Sequence, residues 1–193
     1  MKKQIITIAG SLGAGKSSTA KLVAKALGYR HFSSGDLFRQ IAKEREVSVE
    51  EINKMAWNEK SIDQEVDERL RRYGEEEKLV IDSRLAYHWI QDSFKVFLNL
   101  DAATAAERIF KQIQSEGRES QHATSVAQLI ETTNSRKEDE RKRYSHLYHI
   151  DVTDLTAFDL VVNTDEHDLS AVVKIVLADY QKFLANQYSR RET

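Results

Sequence analysis

A glycine-rich segment directly after a short β-branched run constrains the fold of this chain more than any other feature. Residues 10–17 read Gly-Ser-Leu-Gly-Ala-Gly-Lys-Ser and match the pattern G-x-x-x-x-G-K-[ST] in full. The apolar run 5–9 before it predicts a buried strand, and residues 16–27 predict a helix that ends at Gly28. The segment therefore predicts a phosphate-binding loop, because this pattern has that meaning between a strand and a helix.

Each part of this loop has a chemical reason. Glycines let backbone N–H groups turn toward phosphate oxygens, and the start of the helix adds a positive dipole. Lys16 would neutralise the β- and γ-phosphates, and the Ser17 hydroxyl would bind Mg²⁺. The alternative is a plain glycine-rich turn with an exposed lysine. The candidate ATP-binding residues are Gly10, Ser11, Leu12, Gly13, Ala14, Gly15, Lys16, Ser17 and Ser18.

Short apolar runs alternate with longer charged stretches along the rest of the chain, and this alternation predicts a doubly wound α/β fold with a parallel sheet. The predicted strands are 5–9, 29–32, 79–81, 96–100 and 160–162. The predicted helices outside the middle segment are 16–27, 102–114, 125–147 and 168–187. Residues 35–74 are almost entirely helix-forming and indicate a helical insertion on the sheet.

Composition narrows the class of protein. A chain of 193 residues favours one domain, and 29 basic against 31 acidic residues give a net charge of −2. This balance argues against a dedicated nucleic-acid or anionic-membrane binder. The absence of cysteine excludes disulfides, thiolate catalysis and Cys-based metal sites. We expect a cytoplasmic monomer, because no run approaches membrane-spanning length and no long apolar stripe is left for an interface.

Two polar segments follow predicted strands. Residues 33–39 combine a serine cap with Arg39 in the second turn, where a guanidinium can hold a phosphate. Asp82 and Arg84 follow the predicted strand 79–81, at the sheet edge where α/β proteins bind ligands. The Asp82 carboxylate can hold the water shell of Mg²⁺. Ordinary helix-start chemistry and a capped turn are the alternatives.

The long helix after Ser125 carries a stripe that is apolar at its ends and Arg-Glu-Arg in its middle. We interpret the stripe as leaving the core and crossing a polar cleft, with a solvent-exposed salt-bridge face as the alternative. Arg108 on the preceding helix is a further candidate for this cleft. The stripe consists of Leu129, Thr133, Arg136, Glu140, Arg143 and Leu147.

Together these motifs resemble the nucleoside monophosphate kinases, and within them the short cytidylate kinase type of archaea and some bacteria. Residues 34–39 resemble the family's [ST]-G-[DE]-x-x-R segment, and residues 82–86 are similar to its [DE]-G-R-L-A. The resemblance extends over nearly the whole chain through 10–17, 62–67, 136–151 and 158–164.

The resemblance implies a three-layer P-loop NTPase fold with a five-stranded parallel sheet of order 2-3-1-4-5. Residues 1–193 would form a single kinase domain. Its core would be 1–34, 76–111 and 125–193, its monophosphate-binding insertion 35–75 and its short lid 112–124.

The implied reaction is Mg²⁺-dependent transfer of a phosphoryl group from ATP to a nucleoside monophosphate, CMP or dCMP. Another P-loop kinase, for adenylate or a small metabolite, and a catalytically silent ATP-binding protein are the alternatives. The implied catalytic residues are Lys16, Arg84, Arg136 and Arg143, and Arg108 joins the ATP site. The implied acceptor residues are Ser34, Gly35, Arg39, Asp82, Arg84, Arg136, Glu140 and Arg143, and the implied Mg²⁺ residues are Ser17 and, through water, Asp82.

Three positions depart from the family pattern. Ser83 replaces the usual glycine. Gln112 stands where relatives carry a basic lid residue, and Lys111 or Arg118 would supply the basic group instead. Leu85 occupies the position at which the longer bacterial cytidylate kinases carry an Asp that helps to read cytosine. The sequence therefore identifies no base-reading residue.

Overall fold

The computed structural model describes residues 4–116 and 125–189. Five strands form one parallel sheet in the order β2-β3-β1-β4-β5, which confirms the predicted topology. The strands are β1 (Ile5–Gly10), β2 (Arg30–Ser33), β3 (Leu79–Asp82), β4 (Phe94–Asn99) and β5 (Leu160–Asn163). β4 begins before the apolar run 96–100, because Phe94 already pairs with Ile6 of β1.

Helices surround the sheet, and within residues 4–116 and 125–189 none is long and apolar enough to cross a membrane. The first four helices are α1 (Lys16–Leu27), α2 (Ser34–Glu44), α3 (Val49–Asn58) and α4 (Lys60–Tyr73). The others are α5 (Ala86–Trp89), α6 (Ala102–Glu116), α7 (Val126–Tyr148) and α8 (Leu169–Ser189).

The sheet is covered on both faces, so its central strand β1 is buried along its whole length. Ile6 and Ile8 point to one face, where they belong to a cluster that includes Val23 of α1 and Val176 of α8. Ile5 points to the opposite face, into a cluster formed with α2, α3 and α4. This two-sided packing explains why the strands read as continuous apolar runs instead of alternating ones.

Side-chain caps set the starts of several helices. The Ser125 hydroxyl accepts a hydrogen bond from Gln128 N at the start of α7, and the Asp101 carboxylate accepts hydrogen bonds at the start of α6. The predicted helices 102–114 and 125–147 therefore begin close to these two capping residues. Helix α6 extends through Glu116, so the first five residues of the predicted lid are helical. The remaining lid residues, 117–124, lie outside the described residues.

Candidate active site

The glycine-rich loop begins where β1 approaches β4 too closely for a side chain. Gly10 has a φ of +144°, and a Cβ there would lie 2.2 Å from the Leu98 carbonyl oxygen. The next residue, Ser11, donates its backbone N–H to the same oxygen at 3.0 Å. Glycine is therefore required at position 10, and the loop is anchored to the carboxyl edge of the sheet.

The amino terminus of α1 is built to receive an anion. Gly15 precedes the helix in the left-handed region with a φ of 79° and provides no side-chain cap. By contrast, Ser33, Ser48 and Ser125 cap α2, α3 and α7 with their hydroxyl groups. The first turn of α1 also lacks an acidic residue, so its N–H groups and its dipole favour a phosphate group.

Lys16 folds back over the loop. Its ammonium group donates hydrogen bonds to the carbonyl oxygens of Gly10 at 2.9 Å and Ser11 at 2.7 Å. These contacts place the positive charge in the hollow of the loop, beside the helix amino terminus. The loop therefore combines backbone N–H groups, a helix dipole and an ammonium group at one point.

Asp82, at the end of β3, joins three elements. Its Oδ1 accepts hydrogen bonds from Ser17 Oγ at 2.9 Å and Ser33 Oγ at 3.0 Å. His31 Nε2 lies 2.6 Å from Oδ2 and donates to it, since an ionised carboxylate only accepts. Parallel pairing of Ser33 with Asp82 brings β2 and β3 together at this edge.

The residues at this edge fit a magnesium ion. The Ser17 hydroxyl and the Asp82 carboxylate supply the oxygen ligands that Mg²⁺ prefers, and Mg²⁺ usually keeps several waters and binds few protein groups. Within the described residues, no group of three or more His, Cys, Asp or Glu side chains could hold a metal ion. The oxygen pair is thus suited to a hydrated ion held mainly by a nucleotide.

Arg84 faces α7 across the cleft. Its Nη1 lies 2.6 Å from Glu140 Oε2, and this contact links the end of β3 to the middle of the predicted stripe. Thr133, Glu140 and Arg143 are all buried, so the stripe on α7 faces the interior and not solvent. The α7 carboxylate therefore fixes the direction of the Arg84 guanidinium.

A cavity of about 700 Å³ lies between the phosphate loop, β3 and the helical insertion. Ser34 and Gly35, at the start of α2, line it, as do Ser17 and Ser18 of α1. Arg39 lies at its rim and is exposed, in an ion pair with Asp36. A nucleotide fits a cavity of this size.

Two buried carboxylates of α4 line the same cavity, one turn apart on the helix. Asp63 and Asp67 are 5% and 4% exposed. Burial raises the pKa of both groups, against the opposing charge of Arg143 beside Asp63 and a hydrogen bond from Tyr148 to Asp67. Arg143 itself is 4% exposed, with its Nε 3.7 Å from Asp63 Oδ2.

A second cavity, of about 390 Å³, lies on the other side of the Arg84–Glu140 pair. Its floor includes Tyr87, Phe97 and Phe158, and it shares Leu12 with the larger cavity. The Arg84–Glu140 contact therefore forms a boundary between two hollows beside the phosphate loop.

Arg108 and Arg136 are the remaining arginines that the sequence assigns to the site. Arg108 donates from Nη2 to the Thr164 carbonyl oxygen at 2.7 Å, which ties α6 to the loop after β5. Arg136 lies on α7, but its side chain falls outside the described residues, as do the Gln112 side chain and all of Arg118. The structure thus brings together the loop, Asp82, Arg84, Glu140 and Arg143.

Sequence reasoning missed three residues of this site, His31, Asp63 and Asp67. A period of two along β2 puts His31 and Ser33 on one face, which would have pointed His31 toward Asp82. Asp63, Val66, Asp67 and Leu70 follow helical spacing, so the acids share the buried face of α4. An acid within an apolar stripe was the available signal.

The fold and the phosphate-binding loop together define a P-loop protein whose fold is shared with known kinases. Among solved structures, shikimate kinase from Bacteroides thetaiotaomicron matches with a TM-score of 0.62 at 17% identity, over 96% of this chain and 98% of that one. A gluconokinase from Sinorhizobium meliloti matches with a TM-score of 0.60 at 18% identity, over 98% and 97%. These likenesses concern the fold.

Sequence comparison defines the family within that class. The model of the cytidylate kinase-like family matches residues 5–166, so the chain belongs to this family. A cytidylate kinase from Pyrococcus horikoshii is 36% identical over 91% of this chain and 88% of its own length. Another, from Methanothrix thermoacetophila, is 34% identical over 90% and 96%. The protein is accordingly an ATP-dependent nucleoside monophosphate kinase, as the sequence motifs indicated.

Proposed function

We propose that this enzyme transfers the γ-phosphoryl group of ATP, bound with Mg²⁺, to CMP or dCMP. The observation that carries the proposal is the lining of the larger cavity, which combines Lys16, Ser17 and Asp82 with Arg84, held by Glu140. Relatives named cytidylate kinase, similar over about nine-tenths of the chain, support a cytosine nucleotide as the acceptor.

On the donor side, the loop amides and Lys16 would hold the β- and γ-phosphates. Ser17 would bind Mg²⁺, and Asp82 would support its water shell, as the oxygen pair allows. Bound there, the ion would neutralise charge on the transferring phosphoryl group. The Ser17–Asp82 hydrogen bond keeps both oxygens in place before the nucleotide arrives.

On the acceptor side, Arg84 would grip the monophosphate. A guanidinium has five N–H donors, so Glu140 can orient the group while other donors bind phosphate. Arg39 would join from the rim, and Arg136 and Arg143 would stabilise charge on the group in transfer. In-line attack by the acceptor phosphate requires positioning and charge neutralisation and no covalent enzyme intermediate.

Closure of the insertion 35–75 and of the lid 112–124 would exclude water and so suppress hydrolysis of ATP. The insertion contributes one wall of the cavity through α2 and α4, so its movement would change the cavity directly.

Product analysis tests the proposal. Incubation with Mg²⁺, ATP and CMP, followed by ion-exchange chromatography, should yield CDP and ADP in equal amounts. Omission of CMP should leave ATP largely intact. ADP without CDP would contradict phosphoryl transfer to this acceptor.

A further inference from the structure

The larger cavity is lined by both basic and acidic side chains. Lys16, Arg39 and Arg84 line it together with Asp63 and Asp67 of α4. A phosphate group is attracted by the first set and repelled by the second. A carboxylate that borders the acceptor is therefore suited to a group that donates hydrogen bonds and not to its phosphate.

Asp67 has a structural role, because its carboxylate accepts hydrogen bonds from other side chains of the protein. Its Oδ1 accepts a hydrogen bond from Trp89 Nε1 at 3.0 Å, and its Oδ2 accepts one from the Tyr148 hydroxyl. Arg71 lies over the Trp89 ring, 4.0 Å from the centroid. Asp67 thus ties α4 to α5 and α7, and both of its oxygens are used.

Asp63 is different. Its Oδ2 is buried, and within residues 4–116 and 125–189 it accepts no hydrogen bond. Its neighbour Arg143 Nε lies 3.7 Å away, beyond hydrogen-bond range. A buried carboxylate oxygen without a donor is costly, and such groups in native proteins call for an explanation.

We propose that Asp63 accepts a hydrogen bond from the exocyclic amino group of the acceptor base and thereby selects cytosine over uracil. Cytosine carries an N–H donor at its C4 position, whereas uracil carries a carbonyl oxygen there. A carboxylate pairs with the first and faces the second with two acceptors and no proton between them. The inference rests on the proposed function, since it concerns the acceptor of that reaction.

The test compares the specificity constants kcat/KM for CMP and UMP in wild type, Asp63→Asn and Asp63→Ala. We expect the CMP/UMP ratio to fall at least about tenfold in both variants, because a buried polar mismatch discriminates strongly. The KM for ATP should stay unchanged. Glu65→Gln, an exposed carboxylate on the same helix, is the matched control and should keep the wild-type ratio.

A substrate analogue makes the test independent of folding. The monophosphate of the pyrimidin-2-one ribonucleoside lacks the amino group and adds no bulk. Wild type should use it at least about tenfold less well than CMP, and Asp63→Ala should reduce this difference. Equal use of the analogue and CMP by wild type would overturn the inference.

Other outcomes separate the two proposals. An active wild type whose CMP/UMP ratio is the same in both Asp63 variants overturns this inference alone. A change confined to the CMP/dCMP ratio assigns Asp63 to the ribose and also overturns it. A wild type that phosphorylates no nucleoside monophosphate overturns the proposed function itself.

Discussion

Lys16 occupies the point where loop amides and helix dipole converge, and its ammonium group holds two loop carbonyls. Lys16→Ala should lower kcat by about 100- to 1,000-fold, as loss of one preorganised charge contact does in other enzymes. The Lys16→Ala variant should stay folded, because the Lys16 side chain does not belong to a hydrophobic core cluster. Steady-state kinetics and circular dichroism check both points, with Lys25→Ala, exposed in the last turn of α1, as the control. Turnover near the wild-type level would contradict the assignment of this loop.

Arg84 is the residue on which binding of the acceptor monophosphate depends in the proposed reaction. Arg84→Ala should cut kcat/KM for the acceptor by roughly 100-fold or more, and Arg84→Lys should restore little, because an ammonium lacks the planar fork of a guanidinium. Arg84→Ala should also lower the free energy of unfolding by about 1–3 kcal/mol, since the buried Glu140 carboxylate loses this ion-pair contact. Kinetics with varied acceptor and urea unfolding measure these effects. The exposed Arg69, changed to Ala, is the control, and equal loss in both variants would contradict the role.

At the scale of elements, α7 depends on its amino-terminal cap for part of its stability. The Ser125 hydroxyl accepts a hydrogen bond from Gln128 N at 3.2 Å. Ser125→Ala should therefore lower the free energy of unfolding by about 1 kcal/mol, while Ser125→Asp should preserve it. Thermal or urea unfolding measures the difference. An unchanged free energy of unfolding in Ser125→Ala would show that the cap contributes nothing.

Helix α4 gives the protein a characteristic dependence on pH. Burial raises the pKa of Asp63, so the folded state holds this proton more tightly than the unfolded chain does. Asp63 therefore lowers the free energy of unfolding as pH rises above about 4, the ordinary aspartate pKa. Asparagine lacks this titration.

Relative to wild type, Asp63→Asn should become more stable as the pH rises above about 4, the ordinary aspartate pKa. Urea unfolding at several pH values measures the difference between the two curves. Asp67→Asn should change in the same direction, since burial also raises the pKa of Asp67. Parallel curves for wild type and Asp63→Asn would contradict the assigned burial.

At the scale of the whole molecule, the strands and the bounds of α1, α6, α7 and α8 could be predicted because their signals are local, whereas the strand order followed from the family resemblance. Gly28 ends α1 in the left-handed region, and serine caps begin α2 and α7. Likewise, the loop motif and the Asp82–Arg84 segment each lie within a few residues. Caps and short motifs of this kind can be recognised from neighbouring residues alone, without knowledge of the rest of the fold.

The rest of the site depends on contacts between distant segments. His31 meets Asp82 across 51 positions, and Tyr148 meets Asp67 across 81. Arg84 and Glu140 were each among the implied acceptor residues, but their contact follows only from the packing of α7 against the sheet edge. No local pattern states which buried acid finds a partner within the protein and which, like Asp63, keeps an oxygen without a hydrogen bond.

Phosphoryl transfer from ATP to a cytosine nucleotide can be measured with a panel of acceptors. ADP release should be followed with Mg²⁺ and ATP in the presence of CMP, dCMP, UMP, AMP or GMP in turn, with Lys16→Ala as the inactive reference. The value of kcat/KM should be highest for CMP or dCMP. Fast reaction with AMP and slow reaction with CMP would contradict the base assignment, and ADP release indifferent to every acceptor would contradict the reaction.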